Sequence, residues 1–101
     1  MIYKFKSKAT GDLLMLGPQG NQFLALLGRE AAPKGIIEWA DMPAAIATLQ
    51  RAAEADDAHR AEQARQEAAE PEVVSLRQRL WPMIEMMRQA HAAQVPIVWG
   101  V

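Results

Sequence analysis

The sequence predicts an α+β domain in which helices cover one face of a small sheet. Three observations predict this class: an alternating segment near the start, helical spacing in the second half, and a short apolar segment close to the end. The 101 residues suffice for one small domain and leave no room for a second. We therefore treat residues 1–101 as a single domain.

Residues 2–8 alternate between two sides, as in a half-buried strand. Tyr3 and Phe5 point to one side, and three lysines point to the other. These lysines are Lys4, Lys6 and Lys8. Residues 9–12 supply a turn, and residues 13–16 are apolar on both faces, which is typical of a central strand. We predict a hairpin whose second strand is central and whose first strand lies at an edge.

Residues 17–20 have a Gly-x-x-Gly pattern without the Lys-Ser/Thr of a phosphate-binding loop, so we interpret them as a turn. A short helix with one apolar face follows over residues 23–27, and Gly28 is suited to end it. Residues 36–39 predict a short middle strand. Asp41 is then suited to cap the next helix.

The second helix tolerates Pro43 in its first turn and begins with an apolar stripe. This stripe consists of Met42, Ala45, Ile46 and Leu49. It then stops, because residues 50–72 contain no bulky apolar side chain. We predict that residues 50–70 form either an exposed helix or a flexible Ala- and charge-rich segment, the most mobile part of the chain. Pro71 ends this helix or restarts it.

The last helix has side chains at helical spacing that form one stripe. They are Val73, Leu76, Leu80, Ile84, Met87 and His91. Pro82 lies within this helix and predicts a kink near Trp81. Pro96 follows its end, and residues 97–99 predict a final strand. We expect that strand to pair with an edge of the first sheet and Trp99 to pack against the last helix.

Composition excludes several classes of function. The chain has no cysteine, which excludes disulfides, thiolate zinc sites and cysteine nucleophiles. The longest bulky apolar run, residues 13–16, is far too short to span a bilayer. The first lysines are not followed by the apolar segment that a signal peptide requires. We expect a cytoplasmic protein without membrane contact. The net charge of -1 gives no general attraction to nucleic acid.

A metal site and a cofactor are not expected. Asp56, His59 and Glu62 share a helical spacing of three residues, but a bundle metal site needs matching ligands on a facing helix. The second histidine, His91, has no carboxylate three or four residues away and is suited to the end of a helix. We therefore predict no metal and no cofactor.

The lysines Lys4, Lys6 and Lys8 are candidate partner-binding residues. Single-stranded nucleic acid sites place aromatic rings on the same surface as the positive charge, whereas Tyr3 and Phe5 lie opposite these lysines. The simplest interpretation is a solvated face of an edge strand. An anionic partner is the alternative, and nucleic acid is disfavoured.

Met83, Met86 and Met87 form a second candidate partner-binding cluster beside Trp81. Methionine-rich faces can adapt to partners, but they more often fill gaps in a core, and we favour the core interpretation. The three tryptophans are likewise interpreted as core residues. They are Trp39, Trp81 and Trp99.

Three functions stay open. The first is a non-catalytic protein-interaction or assembly module, with self-association included. It rests on the lack of a recognisable set of catalytic residues and on the charged helix over residues 50–70, which the core does not need. The second is a small enzyme that uses His91 with Asp12, Glu38 or Asp41, although no spacing singles these residues out. The third is a nucleic-acid-associated protein that uses the three lysines.

Several separate segments resemble one known family. They are MIYKFKSKATGDLLML at the start, PKGII and DMPAAIATL in the centre, and LRQRLWPMIEMM and IVWGV at the end. The family is catalogued as a domain of unknown function, number eighteen-forty, and the resemblance spans nearly the whole chain except residues 50–70. It implies a bacterial, proteobacterial source. It implies no activity, and no functional residue is carried over from it.

Overall fold

The computed structural model of the chain describes residues 2–65 and 75–101. It confirms the predicted α+β class, with one sheet and three α-helices within these described residues. The elements are β1 Ile2–Lys6, β2 Leu13–Leu16, α1 Gly17–Leu26, β3 Gly35–Ile37, a 3-10 helix Trp39–Asp41, α2 Met42–Arg65, α3 Leu76–Ala92 and β4 Ile97–Trp99. The predictions for Pro71, Val73 and residues 66–70 fall outside the described residues.

The four strands form one antiparallel sheet in the order β2-β1-β4-β3. The predicted hairpin is present, but the assignment of its strands was wrong, because β1 is central and β2 lies at the edge. An antiparallel sheet can leave one face open to solvent, so a central strand need not be apolar on both faces. In β1, only Tyr3 and Phe5 are buried, while Lys4 is exposed. The strand ends at Lys6, and Lys8 belongs to the following turn.

Strand β4 pairs with β1, as the apolar segment predicts, but it does not stay at an edge. Val98 lies opposite Lys6 of β1 on one side and opposite Ile36 of β3 on the other. Trp99 belongs to the same hydrophobic cluster as Leu80 of α3. The strand therefore joins the hairpin to β3 and lies over the core.

Helix α1 begins at Gly17, so the predicted turn over residues 17–20 was wrong. A proline in the first turn suits helical geometry, and here Pro18 lets the helix start directly after β2. Gly20 is required by packing, since a Cβ atom at this position would overlap the ring of Tyr3. At the other end Gly28, with φ of 75°, ends the helix as predicted.

The segment between α1 and α2 contains less strand than predicted. Strand β3 stops at Ile37, and Trp39 opens the 3-10 helix instead. Asp41 is the last residue of that helix, so helical geometry starts before the predicted cap. Pro43 lies in the first turn of α2, as predicted.

The buried face of α2 does not stop at Leu49. Ala53 is fully buried, and positions three or four residues apart stay half-buried beyond it. These positions are Asp56, Arg60 and Gln63. The face continues with small and polar side chains because α3 packs against it. Of the two alternatives for residues 50–70, the described part is a helix, and it is exposed on its other sides.

Helix α3 starts with Ser75 in a capping box with Gln78 and continues through Pro82. The predicted stripe is confirmed at Leu80, Ile84 and Met87, which are buried. The kink at Pro82 stays a prediction.

The core interpretation of the tryptophans is confirmed for Trp99 and wrong for the other two. Trp99 is 2% exposed, whereas Trp39 is 36% and Trp81 is 51% exposed. Trp81 lies outside the apolar stripe of α3, with the guanidinium of Arg88 5.7 Å from its ring centroid. Within the described residues, no helix is long and apolar enough to cross a membrane.

Candidate interaction surface

The sheet has a face that no helix covers in the described part of the chain. Alternation along the strands and the register of pairing place Lys4 beside Leu14, Ile2 beside Leu16, and Lys6 beside Val98 on this side. The inward side carries buried residues of the core. We call the uncovered side the outer face, and its side chains are Ile2, Lys4, Lys6, Leu14, Leu16, Ile36 and Val98.

The outer face exposes four large aliphatic side chains. Ile2 and Leu14 are each 61% exposed, Leu16 is 58% exposed, and Ile36 is 40% exposed. These side chains flank the lysines of β1 on both sides, so the face combines positive charge with apolar area. Apolar patches with polar neighbours mark interaction sites on soluble proteins.

The charge of this region is positive. The ammonium group of Lys4 lies 3.6 Å from a carboxylate oxygen of Asp12, and both side chains are about half exposed. Lys6 and Lys8 line an open depression of about 460 Å³ together with Asp12 and Val98. Three lysines thus face one aspartate, which favours an anionic partner over a cationic one.

The aromatic residues are not available to this surface. The rings of Tyr3 and Phe5 stack on the inward side, with their centroids 5.9 Å apart, and both are buried. A base could not stack on them beside the lysines. The prediction that aromatics and lysines lie on opposite sides is confirmed for Lys4 and Lys6.

The methionine cluster lies in the core. Met83 and Met87 are fully buried, and Met86 is 5% exposed. This supports the gap-filling interpretation, since a partner could reach these side chains only if α3 moved away from the sheet.

The structure does not bring the proposed acid–base residues together. His91 lies at the end of α3, where its Nδ1 is 2.9 Å from the carbonyl oxygen of Trp39. Asp12 pairs with Lys4 near the β1–β2 turn, and Asp41 lines a separate cavity of about 250 Å³. No side-chain hydrogen bond or ion pair joins His91 to these carboxylates or to Glu38 within residues 2–65 and 75–101.

The carboxylates considered for a metal have structural partners. A carboxylate oxygen of Asp56 accepts a hydrogen bond from the backbone N–H of Leu76 at 3.0 Å. Glu62 lies 3.6 Å from the guanidinium of Arg65. Across the described residues, no group of three or more histidines, aspartates or glutamates could hold a metal ion.

The exposed leucines and Arg79 are not among the candidate residues that the sequence predicts. Leu14 and Leu16 belong to the apolar run that predicts a central strand, and nothing within this run distinguishes an edge strand from a central one. Arg79 lines a groove beside β2 on the inward side. No spacing in the sequence indicated that contact, because it depends on how α3 packs under the sheet.

Comparison with known proteins identifies one family. A family model described as "Domain of unknown function (DUF1840)" matches residues 1–99. No curated protein matches the chain, and no solved structure does.

Proposed function

We propose that this chain, which belongs to the family described as a domain of unknown function (DUF1840), is a non-catalytic protein-interaction module. The outer face of the sheet is its binding surface. The observation that carries the proposal is the pair Lys4 and Lys6 among four exposed aliphatic side chains on the uncovered side of the sheet. We place this module in the bacterial cytoplasm.

The partner is a protein surface that carries carboxylates between apolar side chains. Carboxylates would face Lys4 and Lys6, and apolar groups would cover Ile2, Leu14 and Ile36. A second copy of the chain fits this face poorly, since two such faces would place lysines opposite lysines. Nucleic acid fits poorly as well, because the exposed side chains among the lysines are aliphatic and cannot stack like aromatic rings.

Site-specific photo-cross-linking tests the proposal in the cells that make the protein. A photoreactive phenylalanine analogue replaces Ile36 on the outer face or, as a control, Ala58 on the exposed side of α2. We expect a protein adduct from position 36 that position 58 does not give. The cross-linked protein is then identified, purified and titrated against the chain by calorimetry.

The titration distinguishes binding at the outer face from a general electrostatic attraction to the chain. The double variant Lys4→Ser/Lys6→Ser should bind about ten-fold more weakly and with less salt dependence. The control Arg51→Ser/Arg65→Ser removes the same charge from α2 and should bind like the wild type. Equal binding by both variants, a nuclease-sensitive adduct, or an adduct only with a second copy of the chain would each contradict the proposal.

A further inference from the structure

Strand β2 is an unprotected edge of the sheet. It pairs with β1 on one side, and no other strand of the described residues pairs with its opposite side. Its four residues, Leu13–Leu16, are all bulky and apolar. Natural edge strands are usually protected by lysine, proline or a bulge, because their free N–H and C=O groups can recruit another strand.

The other edge of the same sheet is protected. The Nη1 group of Arg29 donates a hydrogen bond to the carbonyl oxygen of Ile36 in β3, at 2.7 Å. The same guanidinium lies 5.9 Å from the ring centroid of Trp99. Arg29 thus occupies a backbone acceptor of β3. Of the two edges of the sheet, β2 is therefore the one that is open to a partner strand.

A groove of about 220 Å³ runs beside β2 on the inward side of the sheet. It is lined by Leu13, Leu14 and Met15 of β2 and by parts of α1 and α3. Its apolar residues include Leu13, Met15, Phe23 and Leu80, and its polar residues are Gln19, Gln22, Gln78 and Arg79. Arg79 is the one cation among these lining residues.

Among the described residues, no carboxylate pairs with the guanidinium of Arg79, which is half-buried. Its Nη1 group donates to the neutral side chain of Gln22 over a long 3.4 Å. Its Nε–H is buried and has no hydrogen-bond partner in the part of the chain that the structure describes. A buried donor left unpaired is destabilising, and more so when it belongs to a charged group. A ligand carboxylate in the groove would give this cation an ionic partner at its Nη groups, one of which already forms an exposed hydrogen bond.

We propose that the β2 edge binds an extended peptide strand whose inward side chain carries a carboxylate for Arg79. Added to β2, such a strand hydrogen-bonds to those backbone groups of Leu13–Leu16 that point away from β1. Its alternate side chains point inward, where Leu13 and Met15 line the groove. The side chains between them lie beside Leu14 and Leu16 on the outer face. The peptide therefore carries an acidic residue with an apolar residue directly before and after it.

A carboxylate fits this groove better than other anions. The paired N–H groups of a guanidinium match the two oxygens of a carboxylate. A doubly charged phosphate would call for more than one cation, and the groove provides one. This inference rests on the proposed role as a protein-interaction module, but it uses Arg79 and the β2 edge rather than the lysines of the outer face.

A selection from displayed random nine-residue peptides tests the inference. The library is selected against the wild type, Arg79→Gln, and the control Arg88→Gln, which removes an exposed cation from the same helix. Equal cooperative melting checks that each variant is folded. We expect the wild type and the control to enrich an acidic residue between two apolar residues, and Arg79→Gln to lose the acidic position.

An enriched peptide is then synthesised with its acidic residue and with the matching amide. The change from carboxylate to amide should weaken binding to the wild type about ten-fold and leave binding to Arg79→Gln unchanged. In nuclear magnetic resonance spectra, the peptide should shift the Arg79 Nε–H signal and backbone amides of β2 within Leu13–Leu16. Binding by Lys4→Ser/Lys6→Ser should equal that of the wild type, which separates this site from the outer face.

Three results would overturn the inference. The first is the absence of an enriched acidic position against the wild type. The second is the same consensus against Arg79→Gln. The third is that sodium butyrate alone moves the Arg79 Nε–H signal while no peptide moves the β2 amides, which would assign the groove to free organic acids.

Discussion

Trp99 and Trp81 are residues of the same type with opposite surroundings. Trp99 is buried, its ring centroid lies 5.5 Å from that of Phe5, and its Nε1–H donates to the carbonyl oxygen of Ala32 at 3.0 Å. Trp81 is half exposed on α3. The two side chains therefore contribute very differently to stability, although composition alone treats them alike.

The change Trp99→Ala should lower the free energy of unfolding by about 3–5 kcal/mol, because it leaves a large cavity and an unpaired carbonyl. That is much of the roughly 5–15 kcal/mol that holds a domain of this size together. The matched change Trp81→Ala should cost less than about 1 kcal/mol, since it removes an exposed ring and one cation–π contact. Urea unfolding measures both values, and similar losses for the two variants would contradict this difference.

At the scale of single residues, burial can be predicted from the sequence where apolar side chains recur with the period of a strand or a helix. Elsewhere it cannot. Tyr3 and Phe5 alternate with lysines, so their inward position follows from the period of a strand. The contact between Arg79 and Gln22 joins α3 to α1 across many residues. Nothing local to either residue encodes it, and the groove beside β2 could not be predicted.

At the scale of elements, α3 is held at its start by α2. Ser75 caps the helix with its own side chain, and the carboxylate of Asp56 accepts the N–H of Leu76 from the neighbouring helix. The next residue of α2, Asp57, forms an exposed ion pair with Arg77 at 2.8 Å. These two aspartates touch the same turn of α3 but differ in the group that they contact.

We expect Asp56→Ala to destabilise the chain by about 1 kcal/mol, as the loss of a helix cap does. Asp57→Ala is the matched control, and it should cost at most about 0.5 kcal/mol because exposed ion pairs contribute little. Hydrogen exchange should show faster opening of the amides of Leu76 and Gln78 in the first variant. Equal exchange in the two variants would show that the Asp56 contact does not hold the helix start.

The order of the strands was harder to predict than their existence. The hairpin follows from alternation and turn residues, but which of its strands is central depends on where β4 pairs. Residues 13–16 are apolar on both faces, and this pattern is shared by central strands and by edges that bind a partner. Likewise, Pro18 and two glycines suggest a turn, although proline also suits the first turn of a helix.

At the scale of the whole molecule, the helices occupy one side of the sheet and leave the other side uncovered in the described structure. One layer of helices is enough to bury the inward residues of all four strands. The outer face and the β2 edge are adjacent because Leu14 and Leu16 belong to both. A partner strand on β2 would therefore extend the outer face rather than cover it.

The position of β4 between β1 and β3 predicts that the whole sheet depends on this strand. Strand β4 is the link between β1 and β3, and two of its three residues, Ile97 and Trp99, are buried. Deletion of residues 97–101 would remove both strand pairings and uncover the edge of β1 next to Phe5. We expect loss of cooperative melting and aggregation through the exposed edge.

The matched control is deletion of Val101 alone, which is 74% exposed and lies beyond β4. Its melting temperature should stay within a few degrees of that of the full chain, because surface changes usually alter stability by less than about 0.5 kcal/mol. If the chain without residues 97–101 also melted cooperatively near that temperature, β1 and β3 would not depend on β4. The final strand would then be free to bind a partner itself, and the interaction site would have to be sought there.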